Sequence, residues 1–202
     1  MAVQDQKRKL IIDAAVKRFQ RYGLAKTTME EIARDLDISK GSLYYYFADK
    51  DSIYVAAIEQ IVNTVFEDIS AFTKTTSSMK AVQERYQMLK EKVLSDYHFL
   101  FGIHEWISDR PSSLMRQVSD LVEQSEIQFL SQWIEKGQAL GEVSKEHDPG
   151  KVAMILAGTL FGNWVVWCKR QGNELDLQNR EKLQEYMQLE NTLLNIFFRG
   201  LR

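Results

Sequence analysis

The chain has one cysteine and two prolines among its 202 residues, and no uninterrupted apolar run of the roughly 18 residues that a membrane-spanning helix needs. The lone Cys168 excludes an intrachain disulfide and a cysteine-based zinc site, and within an apolar helical stretch it reads as a small hydrophobe. Strict alternation of apolar and polar residues is nowhere sustained, which argues against a sheet. There is no internal repeat, no low-complexity tract, and no nucleophile–base pair, paired acids or phosphate-cradling glycine loop to carry catalysis. The three histidines, His98, His104 and His147, share no metal-ligand spacing with a carboxylate, so neither metal nor cofactor is expected. Lysines and an arginine interrupt the opening "MAVQDQKRKLIIDAAVKRFQ" where a signal peptide would have its apolar core. The expectation is a cytoplasmic protein with no membrane partner.

What is present is a 45% hydrophobic composition, enough for a substantial core, and a net charge of −2 that hides an asymmetry. Residues 1–50 hold ten Lys and Arg against seven Asp and Glu, whereas the remainder is acidic. Apolar residues recur at helical spacing almost throughout, which predicts an all-α protein. Ile11, Ala15 and Phe19, with Ile12 and Tyr22 beside them, predict a first helix over 5–22 that Gly23 closes. Thr28 followed by Glu31 is a capping box for a second, short helix that buries Met29, Ile32, Ala33 and Leu36. "DIS" is a tight connection, and Ser39 caps a third helix, "KGSLYYYF".

At 100° per residue, Leu43 and Phe47 share the inward face of that third helix with Tyr46 on its flank. Gly41 and Tyr45 lie opposite, with Ser42 and Tyr44 at the sides and Lys40 alongside. Glycine lets a partner approach the backbone, and tyrosine hydroxyls bond phosphates while the rings touch thymine methyls or sugars. Two short helices with this outward face predict a helix-turn-helix that enters a DNA major groove.

"TTMEEIARDLDISKGSLYYYFADKDSIYVAAIE", preceded by "IIDAAVKRFQRYGLAK", resembles the DNA-binding domain of the tetracycline-repressor (TetR) family of bacterial regulators over residues 8–60. The resemblance implies about nine helices, a helix-turn-helix head at 1–48 and a ligand-binding and dimerisation domain at 49–202. It also implies a homodimer that represses transcription from an inverted-repeat operator and is released by a small effector. Carried over by motif, Thr27 and Thr28 open the helix that crosses the DNA backbone, and Lys40, Gly41, Ser42, Tyr44, Tyr45 and Tyr46 form the recognition helix. Lys50 is then a phosphate clamp. The alternative is a helical enzyme or ligand carrier that keeps the head.

A long helix over 49–72 carries two adjacent apolar stripes, so it is buried on two sides and resembles the family's connector between head and body. Helices are expected over about 80–96, 97–108 and 112–137. Asp148 and Pro149 mark a strong start for the next one, whose Gly158 and Gly162 allow close approach of another helix. By resemblance that helix and the last, over 177–199 with Leu189, Leu193 and Phe197, build the dimer interface. A bulky, apolar or aromatic effector is expected among Phe66, Tyr86, Phe99, Ile103, His104, Trp106, Phe129, Trp133 and Trp164, a choice that rests on composition alone.

Overall fold

The computed structural model describes residues 2–98, 112–172 and 176–202. Among the described residues there are eight α-helices: α1 (Ala2–Lys26), α2 (Met29–Asp35), α3 (Lys40–Tyr46), α4 (Lys50–Thr75), α5 (Met79–Tyr97), α6 (Ser113–Leu140), α7 (Pro149–Gln171) and α8 (Arg180–Gly200). The helix expected over 97–108 lies almost wholly outside the described residues, which accounts for the difference from nine.

Each boundary has a local cause. Gly23, at φ 77°, breaks the helical course of α1 at the position where "YG" predicts its end. The Thr28–Glu31 capping box is formed in both directions, and Ser39, Asp49, Ser78, Ser112, Asp148 and Asn179 cap the helices that follow them. The turn between α2 and α3 places Asp37 at φ 52°, a left-handed conformation that aspartate tolerates better than most residues. "TKTTSSM" is a shorter break than its polarity predicts, because α4 continues through Thr75. Thr73 is buried there, its hydroxyl donating to the Ile69 carbonyl at 2.8 Å.

α1 packs on α4, and α4 in turn on α6, which lies against α7; α5 and α8 close the body. Both stripes of α4 are used. Ile53, Tyr54, Ala57, Ile58, Ile61 and Val62 belong to a core that begins at Ile11 and Phe19 in α1 and reaches Trp164 and Tyr186. Ile69 belongs to a second core around Trp133, Leu156 and Leu194. Tyr22 departs from its expected place: it is 44% exposed, with the guanidinium groups of Arg18 and Arg21 over its ring at 5.2 and 5.3 Å. Cys168 is buried and its thiol is pushed up to about 12 by burial, which keeps it unreactive.

α7 alone among the described helices is long and apolar enough to cross a membrane, although 44% of that stretch is buried inside the fold. Its uncharged course from Val152 to Cys168 is interrupted by Thr159 and Asn163. That is why a search for an unbroken apolar run passes over it.

Gly137, buried in α6, is a point of close approach: a Cβ there would stand 2.6 Å from Val143 Cγ2 and 2.8 Å from Met79 Cε. Gly137→Ala is expected to cost about 1–3 kcal/mol by overpacking, despite the better helix propensity of alanine. A lowered urea midpoint at unchanged slope is the readout. An unchanged midpoint would mean that the turn carrying Val143 yields freely.

Candidate nucleic-acid interface and ligand cavity

The head presents the face that the spacing predicts. Leu43 is fully buried and Phe47 nearly so, while Tyr45 is 73% exposed and Tyr44 44% exposed. Tyr46 is half-buried and meets the Tyr45 ring edge-on, with centroids 5.1 Å apart. Gly41 is exposed, and an added Cβ would meet nothing of this chain nearer than Ser39 Oγ at 4.0 Å, so internal packing does not require a glycine there. Ser42 is half-buried and its amide donates to Ser39 Oγ at 3.0 Å.

Four of the expected DNA contacts, Thr27, Thr28, Lys40 and Lys50, are engaged inside the chain. Thr27 is buried rather than outward: its hydroxyl donates to the Gly23 carbonyl at 2.9 Å and its amide to the Leu24 carbonyl at 3.2 Å. The same Leu24 carbonyl accepts from Lys50 Nζ at 2.7 Å, so Lys50 ties the start of α4 to the turn that ends α1. An ammonium has three N–H donors, so this bond leaves Lys50 two for a phosphate. Thr28 is exposed, and its hydroxyl and amide both meet Glu31.

Acidic residues of α2 hold several cations of the head. Arg18 forms a two-pronged bond to Asp35, at 2.6 and 3.0 Å, and lies 3.2 Å from Glu31. The hydrogen bond from Arg18 draws the Asp35 carboxyl below its usual range. Lys40 pairs with Glu30, and this bond lowers the Glu30 carboxyl and raises the Lys40 ammonium. Lys40 also lies 5.7 Å from the centre of the Tyr44 ring.

The body holds a cavity of about 350 Å³, large enough for a small organic molecule. α4 contributes Ile61, Val65 and Phe66, and α5 contributes Tyr86, Leu89 and Lys90. α6 adds Ser119, Val122, Glu123 and Glu126, and α7 adds Gly158, Phe161 and Trp164. Of the expected ligand residues, Phe66, Tyr86 and Trp164 line it. Phe129 and Trp133 do not: they lie behind Tyr86 in a stack with centroids 5.5–6.0 Å apart, fully enclosed by core. Phe99, Ile103, His104 and Trp106 lie outside the described residues.

Composition missed the polar end of the cavity. Lys90 Nζ is 2.6 Å from Glu190 and 4.0 Å from Glu126; the Tyr86 hydroxyl donates to Glu126, and that of Tyr186 to Glu190 at 2.7 Å. Burial, reinforced by these carboxylates, pushes both tyrosine hydroxyls well above their ordinary range. Burial also opposes charge on Lys90, but Glu190 and Glu126 outweigh it and hold the ammonium protonated. The signal was present: Lys90 stands four residues after Tyr86 and Glu190 four after Tyr186, each a charge within an apolar stripe.

An outward recognition helix on a three-helix head, joined by one long helix to a hollow all-α body, is the architecture of a helix-turn-helix DNA-binding protein. The family model "Bacterial regulatory proteins, tetR family" matches residues 11–57. The biofilm operon icaADBC negative transcriptional regulator IcaR of Staphylococcus aureus is 31% identical over 147 residues, 71% of each chain. The crystal structure of a transcriptional regulator from Cytophaga hutchinsonii, 28% identical, superposes over 96% of this chain and 98% of that one with a TM-score of 0.79. The regulator FadR of Bacillus subtilis, in complex with stearoyl-CoA, shares the fold at 18% identity and a TM-score of 0.66, over 96% of this chain and 99% of that one. The chain belongs to the TetR family and is a DNA-binding transcriptional regulator, which sets aside the enzyme or carrier alternative.

Tyr45→Ala is expected to weaken operator binding at unchanged melting temperature, because the ring has little of the protein to lose. Thr27→Val, nearly isosteric, is expected to do the reverse, lowering stability by about 1 kcal/mol as the Gly23 carbonyl loses its donor. Fluorescence anisotropy with labelled operator and thermal denaturation separate the two. A collapse of stability in Tyr45→Ala would contradict the outward placement of the ring.

Proposed function

We propose that the chain is a homodimeric cytoplasmic repressor whose head, residues 1–48, reads an inverted-repeat operator and whose body, residues 49–202, releases it when a small, largely apolar effector fills the cavity. The observation that carries this reading is the wall that α4 gives to the cavity. The helix separated from the recognition helix by only three residues also lines the cavity through Ile61, Val65 and Phe66. A molecule that moves that wall moves the recognition helix. The stearoyl-CoA complex of FadR supports the idea that this fold accepts long apolar effectors. Within the head, Gly41, Tyr44 and Tyr45 meet bases or sugars. Lys40, Ser42, Thr28, Tyr46 and Lys50 hold phosphates, Lys40 by exchanging Glu30 for the DNA backbone.

An exposed apolar face supports the dimer. On α7, Met154, Ile155, Phe161 and Val166 are 44–62% exposed, beside the exposed Gly158 and Gly162; on α8, Ile196 is 68% exposed and Leu189 46%. A Cβ at Gly158 or Gly162 would meet nothing of the chain within 4 Å, so these glycines serve no internal contact. Leu193 and Phe197 are half-buried against the chain's own core and form the inner edge of the face. Two copies of α7 and α8 bury this surface as a four-helix interface. A twofold dimer then sets two recognition helices about 34–36 Å apart, or a multiple of it, on successive major grooves.

Gly158→Leu or Gly162→Leu is expected to shift the protein from dimer to monomer in sedimentation velocity, a branched side chain in a close crossing costing about 1–3 kcal/mol per subunit. A dimer that persists in both variants would move the interface elsewhere. The regulatory reading is tested by electrophoretic mobility shift with the inverted repeats flanking the protein's own gene. Retardation that falls steeply with salt is expected. Absence of binding to every such repeat at low salt would overturn it.

A further inference from the structure

Resting on the reading of the cavity as an effector site, we propose that its effector is an amphiphilic cation: an apolar or aromatic body that carries one positively charged nitrogen, seated against Glu126 and Glu123. Three observations converge on this chemistry. The first is the charge balance of the polar end. One ammonium, Lys90, faces Glu126 and Glu123 at the cavity and Glu190 behind it. Lys90 lies closest to Glu190, whose carboxylate is fully buried and also accepts from Tyr186. For Glu126 there remain the neutral Tyr86 hydroxyl and the more distant ammonium at 4.0 Å. Glu123 stands one turn before Glu126 and makes no ion pair among the described residues.

The second observation is where the charge sits. The Glu126 side chain is only 16% exposed, so its field acts through a medium of low polarisability, where a nearby charge is worth far more than at the surface. An entering carboxylate or phosphate adds a like charge to that enclosure and, because Lys90 already donates to Glu190 at 2.6 Å and to the Tyr86 hydroxyl at 3.3 Å, draws on that ammonium only in partial exchange for them. An entering cation needs no such exchange. The third is the lining itself: Phe66, Phe161 and Trp164 line the same space beside Tyr86, whose ring already has the Lys90 ammonium 5.4 Å from its centre, and aromatic rings attract cations, quaternary ammonium groups above all.

The test uses three ligands that share a ten-carbon chain: decyltrimethylammonium, decanol and decanoate. Each is titrated calorimetrically into the full-length protein, and then into its complex with labelled operator read by anisotropy. Decyltrimethylammonium is expected to bind at least about tenfold more tightly than decanoate, with decanol between them, and to release the operator at the lowest concentration. Glu126→Gln keeps an acceptor for Tyr86 and is expected to narrow the gap between cation and anion by about tenfold while leaving decanol unchanged. The exposed Glu123→Gln acts in the same direction and carries the test if Glu126→Gln does not fold. Decanoate binding as tightly as the cation, or a gap that neither variant narrows, overturns the proposal. If decanoate is preferred and releases the operator, the effector site stands and only its cationic chemistry falls. If none of the three binds, both fall.

Discussion

Everything in this molecule is hung on one continuous helix with two apolar faces. α4 runs from Lys50 to Thr75 without a glycine or proline, about 39 Å of backbone with no place to absorb a bend. Its first half is packed under the head by Tyr54, Ala57 and Ile58. Its second half forms part of the cavity wall and reaches the aromatic core around Trp133. The bond from Lys50 to the Leu24 carbonyl fastens the helix to the turn that ends α1, and Gln60 fastens its middle to Asp13 at 3.0 Å. A displacement of α4 at the cavity therefore has a stiff path to the head.

The buried polar group beside the cavity is the costly feature of the body. Desolvating Lys90, Glu126 and Glu190 is unfavourable, and a group of this kind is often matched or bettered in stability by well-packed apolar residues. One carboxylate oxygen, Glu190 Oε1, is buried with no hydrogen-bond partner among the described residues, so the arrangement is not optimised for stability alone. It joins α5, α6 and α8, and α8 is one of the two helices that carry an exposed apolar face.

The recognition helix divides four consecutive aromatics between two faces. Phe47 and, in part, Tyr46 are enclosed, and they orient the short helix; Tyr44 and Tyr45 project outward because the helical period turns them away from the core. The acidic residues of α2 that pair with Arg18 and Lys40 lower the net positive field of this surface. The exposed Lys40–Glu30 pair is of the kind that salt screens.

The sequence by itself determined the helices, their caps and the two faces of α3, because these follow from spacings of three and four residues and from side chains that reach only their own turn. Thr28 with Glu31, Ser39, Asp49, and Asp148 with Pro149 were all legible at that range. What depends on residues far apart in the chain was not. Thr27 looked like a surface residue beside Thr28, yet the break at Gly23 folds the chain back over it. Phe129 and Trp133 looked as fit for a cavity as Tyr86, and only the packing of α6 against α4 and α5 placed them behind it. The pairing of Lys90 with Glu190, 100 residues away, was visible only as two charges in two apolar stripes. Periodicity announces that such a charge is buried; which partner neutralises it is decided by tertiary structure, because only the packed helices fix the distance between them.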